Sequence, residues 1–114
     1  IDLVATRYGC RIQGATEVAL TKLDVLSYMK EIPVCTQYEV NGEKTDDFPF
    51  TAVIDEAKPV LTTVPGWGCD ISGVRKYEDL PQAARDYVEY IEKAIGVHIS
   101  YVSVGAGRDE IIYR

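Results

Sequence analysis

No run of apolar residues in this chain comes near the roughly 20 that a membrane-spanning helix needs, so a helical membrane protein is excluded. Basic clusters are missing as well: nowhere do more than two Lys or Arg residues stand together. With 12 basic against 18 acidic residues and a net charge of −6, the chain lacks the positive face of a nucleic-acid binder, and no nucleic-acid or membrane partner is expected. Cysteine is sparse. Cys10, Cys35 and Cys69 are odd in number and widely separated, which suits neither a disulfide framework nor a zinc site with paired ligands. Reduced, mostly buried thiols in a cytoplasmic protein are the expectation. The one histidine, His98, has no second imidazole to join at a metal and reads as a strand residue with a hydrogen-bond partner.

Catalytic groupings are also lacking. There is no nucleophile with its base, no carboxylate dyad and no phosphate-binding loop of the form GxxxxGK[ST], so no catalytic or metal-ligating residue is assigned. The chain opens at Ile1 without a basic-then-apolar leader and runs directly into a helical pattern, which predicts a segment of a longer protein.

What is present is enough apolar material, 46% of 114 residues, to predict one domain over residues 1–114. Ile1, Val4, Ala5, Tyr8 and Ile12 recur at helical spacing up to Gly14. "VALT", Val18 to Thr21, is short and mostly apolar, as expected of a strand buried on both faces. Alternation from Ile32 to Val40, followed by Asn41-Gly42, predicts a projecting β-hairpin whose polar, Pro49-containing return limb lies at a sheet edge. A third strand is expected at Pro59 to Val64, stopped by "PGWG", with Trp67 as a loop anchor over the core. A second helix starts near Pro81, carries Ala84, Tyr87, Val88, Ile91, Ala94 and Ile95 on one stripe, and ends at Gly96. "VHISYVSV" follows as a strand, then "GAGR" as a turn and Ile111 to Tyr113 as a last apolar run. The predicted class is α/β: a mixed sheet with two main helices and a projecting hairpin.

Two strands in this scheme end in loops that can carry chemistry, "VALT" into "KLD" and "ISYV" into "SVGAG". In open α/β sheets ligands bind outside the carboxyl ends of strands, so the two loops form one pocket if their strands are close in the sheet. TKLD reads as a guanine-recognition motif. Asp24 offers two carboxylate oxygens to the ring N–H and exocyclic amine of guanine, a charge-assisted pair in which each bond is worth about 1.5 to 3 kcal/mol. Adenine turns a lone pair toward the same carboxylate and is rejected. Lys22 can lay its methylene stem along the base, and the backbone of Ser103 to Gly105 can approach the base edge because Gly105 has no Cβ. Taken singly, a Lys and an Asp after a strand make an ordinary solvated loop, and a lone GxG is ordinarily a turn.

The stretches "ALTKLDVL", "IPVCTQYEV", "VPGWGCDISGVRKYEDLPQAARDYVEYIE" and "VSVGAGRDEIIY", in that order, resemble the C-terminal part of the adenylosuccinate synthase family over essentially the whole chain. The resemblance implies the C-terminal part of a P-loop-containing NTP-hydrolase-like fold. It also implies a homodimeric ligase that joins IMP to L-aspartate with GTP and Mg2+. Lys22, Leu23 and Asp24 would then be the guanine-recognition segment, and Ser103, Val104 and Gly105 the backbone segment closing over the base of GTP or GDP. The family's catalytic Asp and His, its phosphate loop and its aspartate-binding arginine loop would lie before residue 1, leaving the segment inactive alone. Two other readings stand beside it: the back half of a regulatory GTPase, against which "VPGW" and "EDLPQAA" argue, and a non-enzymatic interaction module pairing through the hairpin edge.

Overall fold

A computed structural model describes all 114 residues. Helix α1 (Leu3–Gln13) begins where the Asp2 carboxylate accepts the Ala5 N–H at 3.0 Å, satisfying one of the donors that a helix start leaves free. Gly14, at φ +62°, ends it in the left-handed conformation that glycine adopts without strain. The chain continues through β1 (Glu17–Leu20), a one-turn 3-10 helix (Leu23–Leu26), β2 (Glu31–Val40), β3 (Glu43–Thr45) and β4 (Lys58–Pro65). It finishes with α2 (Gln82–Ile95), β5 (His98–Ser103) and β6 (Ile111–Tyr113). No helix is long and apolar enough to cross a membrane.

The class is mixed α/β with two helices, as expected, but the strands form two sheets where one mixed sheet was predicted. The first has the order β1-β5-β6, with β1 parallel to β5 and β6 antiparallel to it. The second is antiparallel, β3-β2-β4. The division follows from β2. Asn41 and Gly42, at φ +54° and +80°, make the tight turn that folds β3 onto one edge of β2. The returning β4 then covers the other edge from Glu31↔Pro65 to Glu39↔Lys58. β3 pairs only with Tyr38 to Val40, and β2 joins no ladder of the first sheet; its backbone reaches the rest of the molecule through an isolated bridge between Asp2 and Cys35, and its side chains reach it through the core. β3 lies at the sheet edge with Glu43 and Lys44 exposed, as the polar return limb implies.

β1 also departs from expectation. It was read as buried on both faces, yet Glu17 and Ala19 are exposed while Val18 and Leu20 are half-buried. The strand is an edge strand, and only its inner face turns toward the core.

One core joins the two sheets. Ala84, Tyr87, Val88, Ile91 and Ile95 on α2 pack with Ile99 and Val102 of β5, Ile112 of β6, and Ile32 and Val34 of β2. Full burial of each such large side chain contributes about 1.5–3 kcal/mol, which makes this stripe the main tie between the sheets. A smaller cluster of Val4, Cys35 and Tyr38, with Phe48 against it, seats α1 on β2. There the Tyr38 hydroxyl donates a short hydrogen bond to Asp2 Oδ2. Burial first, and then the Asp2 carboxylate, push both the Tyr38 phenol and the Cys35 thiol above their ordinary ionisation ranges. Of the three thiols, all free, only Cys35 is buried; Cys10 is half-buried and Cys69 exposed, because "VPGWGCD" runs over the surface.

Candidate functional site

The condition set by the sequence, that the strands before the two loops be close, is met. β1 and β5 are parallel neighbours, paired from Glu17↔His98 to Leu20↔Val102, so both loops leave the same end of the sheet side by side. The 3-10 turn after β1 lies against β5. Leu23 and Val104 are 1% and 0% exposed, and their side chains belong to the core. They pin the two loops to the sheet, and what they can offer a ligand is backbone.

Lys22 has φ +61° and ψ +38°. Asn41, the one other non-glycine residue in this region, sits in a hairpin turn that favours such a conformation, whereas nothing in the local sequence favours it at Lys22. A lysine held there costs on the order of 1–2 kcal/mol, the kind of strain that gathers at binding sites. The consequence is a sharp reversal directly after β1 that starts the turn carrying Asp24. Both charged groups of this turn are unengaged: the ion pairs of the chain run from Glu92 to His98 and Arg114, and Asp24 is held only through its carbonyl, which accepts the Ser27 N–H at 3.1 Å.

The second loop is closed upon itself. Ser103 Oγ donates to the Gly105 carbonyl at 2.8 Å, and the Val104 N–H donates to the Glu110 carbonyl at 2.9 Å. The Gly105 N–H has no partner and stands as a free donor. The space a Cβ would fill at Gly105 holds the carboxyl group of Glu110.

The sequence reading of Trp67 as an anchor describes what it does. Its ring meets Tyr87 edge-on with centroids 5.7 Å apart, and Nε1 donates to Ser27 Oγ at 3.0 Å. Ser27 closes the 3-10 turn, so the anchor fixes the Asp24 turn from behind. Gly66 completes the support. Its N–H donates to the Lys30 carbonyl at 2.8 Å, and a Cβ there would lie 1.9 Å from the Met29 carbonyl oxygen. Neither this buttress nor Glu110 was singled out from sequence. The available signal was the order of elements: "VPGW" directly follows the strand that pairs with β2, and β2 itself starts just after the KLD turn. His98 has the partner expected of a strand histidine, with Nδ1 2.8 Å from Glu92 Oε2.

No three His, Cys, Asp or Glu side chains converge as a metal-binding group. An apolar cleft of about 410 Å³ lies beneath β1, and Lys22 and Leu23 stand at its end beside Val25 and Leu26. Its walls are mostly aliphatic and offer few polar groups.

Two neighbouring parallel strands ending in a strained Lys-Leu-Asp turn and a glycine-containing loop define a class: α/β proteins that bind a small ligand at the carboxyl ends of their strands. The family model of adenylosuccinate synthetase matches residues 1–112. The chain is 48% identical over 114 residues to adenylosuccinate synthetase of Mycolicibacterium smegmatis and 47% identical to that of Mycobacterium tuberculosis. Each alignment covers 99% of this chain and 26% of the relative. Among solved structures, a fully ligated adenylosuccinate synthetase from Plasmodium falciparum superposes with a TM-score of 0.92 at 31% identity, covering 100% of this chain and 28% of that one. The chain belongs to the adenylosuccinate synthetase family. It spans about a quarter of the length of the curated relatives it matches.

Proposed function

We propose that residues 1–114 act as one domain, the guanine-selecting part of a GTP-dependent ligase that joins IMP and L-aspartate to give adenylosuccinate. In this reading the remainder of the enzyme completes a P-loop-type fold, the active form is a cytoplasmic homodimer, and GTP and Mg2+ serve the full-length protein. Magnesium chemistry is not assigned to any residue here, since the carboxylates of this chain do not gather into a metal-binding group.

The observation that carries the reading is the juxtaposition at the end of β1 and β5: an unpaired Asp24 on one loop and an unpartnered Gly105 N–H on the next. Asp24 accepts the ring N–H and exocyclic amine of guanine, and the Gly105 N–H is suited to the 6-oxygen on the adjacent edge. Lys22 covers the base with its methylene stem while its ammonium stays in water. Ser103 fixes the Gly105 carbonyl and so orients the next peptide. Phosphate transfer and the attack by the aspartate amine fall to residues outside this chain. Alone, the chain is inactive and binds guanine nucleotides at about millimolar strength, near −4 kcal/mol.

The test is Asp24→Asn in the full-length enzyme. The amide donates where the carboxylate accepted, so GTP use falls about 100-fold or more while xanthosine triphosphate becomes a substrate. Unchanged GTP use in that variant contradicts the assignment.

A further inference from the structure

We propose that Glu110 is a positioning residue for base recognition, its carboxylate lodged between Gly105 and Gly107 so that the loop from β5 to β6 holds the Gly105 amide ready for the base. The proposal rests on the guanine reading above.

Three hydrogen bonds of the loop end on this one residue. The Glu110 carbonyl accepts the Val104 N–H at 2.9 Å, the Glu110 N–H donates to the Gly107 carbonyl at 3.1 Å, and Glu110 Oε2 accepts the Gly107 N–H at 2.5 Å. The last two tie residues 107 and 110 reciprocally, so the side chain locks a turn the backbone has already begun. Glu110 forms no ion pair, although Arg108 is two residues away. Its charge is directed to the loop backbone.

The glycines give the second line of argument. Gly105 and Gly107 do not have positive φ, so their backbone shape is open to any L-residue. A Cβ at either position would instead displace the carboxylate end of a side chain. A Cβ at Gly105 would stand 2.4 Å from Glu110 Cδ and 2.5 Å from both carboxylate oxygens, and one at Gly107 would stand 2.8 Å from Glu110 Oε2 and from Asp109 Oδ1. The pattern Gly105-Ala106-Gly107 is therefore a seat for the carboxylate. With Glu110 on one side and Ser103 Oγ holding the Gly105 carbonyl, the Gly105 N–H, like those of Ala106, Arg108 and Asp109, is not used inside the loop, and of these four it lies nearest the end of β5. A loop fixed in advance gives up little freedom when the base arrives, which favours affinity for the nucleotide without touching the reacting atoms.

The experiment compares Glu110→Ala, Glu110→Gln, Gly107→Ala and Asp24→Ala in the full-length synthetase, measuring kcat and the KM values for GTP, IMP and L-aspartate. Glu110→Ala raises the KM for GTP about tenfold, with kcat and the other two KM values within about twofold. Glu110→Gln keeps an acceptor oxygen of the same size and recovers most of the loss. Gly107→Ala displaces the carboxylate without removing it and raises the KM for GTP as Glu110→Ala does, which decides the matter should Glu110→Ala not fold. A KM for GTP that stays at the wild-type value in both Glu110→Ala and Gly107→Ala, while Asp24→Ala raises it, overturns the role of Glu110 and leaves the guanine site standing. Equal increases in all three KM values mark Glu110 as merely structural and also overturn the proposal. No change in Asp24→Ala overturns the guanine reading itself.

Discussion

The two sheets have three strands each and treat their polar groups in opposite ways. In β3-β2-β4 the buried polar groups are paired: Tyr38 bonds Asp2, Asp2 also caps α1, and the Cys35 thiol donates to the Gln37 carbonyl at 3.3 Å. At the carboxyl end of β1-β5-β6, Lys22 and Asp24 stand without ion partners beside a free amide, on a backbone that is strained at Lys22. Paired polar groups inside a fold stabilise it, while the strained backbone at Lys22 is the feature on which the proposed site rests. The difference separates a part of the chain whose polar groups are satisfied within the fold from the part proposed to recognise guanine.

The comparison can be broken at the tie between the sheets. Ile91→Ala opens a cavity under the α2 stripe and lowers stability by about 2–5 kcal/mol, read from the urea midpoint, with both sheets lost together. A loss confined to one sheet by amide exchange contradicts the shared core.

Gly66→Ala tests the buttress. A methyl group 1.9 Å from the Met29 carbonyl oxygen must displace the loop, costing about 1–3 kcal/mol and weakening guanine-dependent shifts at Asp24. Full stability together with an unaltered nucleotide response would remove Gly66 and Trp67 from the account of the site.

Tyr38→Phe acts on the other sheet alone. Loss of the bond to Asp2 costs about 1–2 kcal/mol by thermal unfolding, and the response to nucleotide is unchanged. A nucleotide response that follows the stability loss would mean that the two regions are not separable.

The smallest effect is a pH dependence at Glu92. Burial works to raise its pKa, but the Ile99 N–H and Arg114, aided by His98, outweigh burial and bring it below the ordinary 4.5. A carboxyl depressed in the folded state contributes stability that is fully present above the unfolded value and is lost as pH falls through the folded one. Glu92→Gln therefore flattens the acid limb of the stability curve below about pH 4.5 and leaves its neutral region nearly level. An unchanged acid limb in that variant sinks the assignment.

Much of this was legible in the sequence, because the relevant signals are local. Gly14 and Gly96 end the two helices, Asn41-Gly42 turns the hairpin, and the α2 stripe from Ala84 to Ile95 is the core face. Lys22 to Asp24 and Ser103 to Gly105 were read as loops at the carboxyl ends of two strands that would form one pocket if those strands were close, and β1 and β5 do adjoin. The rest depends on contacts between distant residues. Alternation along β2 shows a strand but not that its ladder partners are β3 and β4 alone, so one sheet was expected where two occur. Apolar letters in "VALT" do not reveal an edge strand with Ala19 exposed. Glu110 reads as a solvated loop acid until its carboxylate is seen between two glycines, and Trp67 reads as an anchor without showing that Ser27 receives its N–H.

The central claim, that the loops after β1 and β5 act together as one guanine-selecting corner, is tested most directly by titrating the 114-residue chain with GDP and with ADP while following backbone amide shifts. The account predicts that Lys22, Asp24 and Gly105 shift together with GDP, along one curve with a dissociation constant of about 1 mM, and remain still with ADP. Equal shifts with both nucleotides, or movement of one loop without the other, would contradict it.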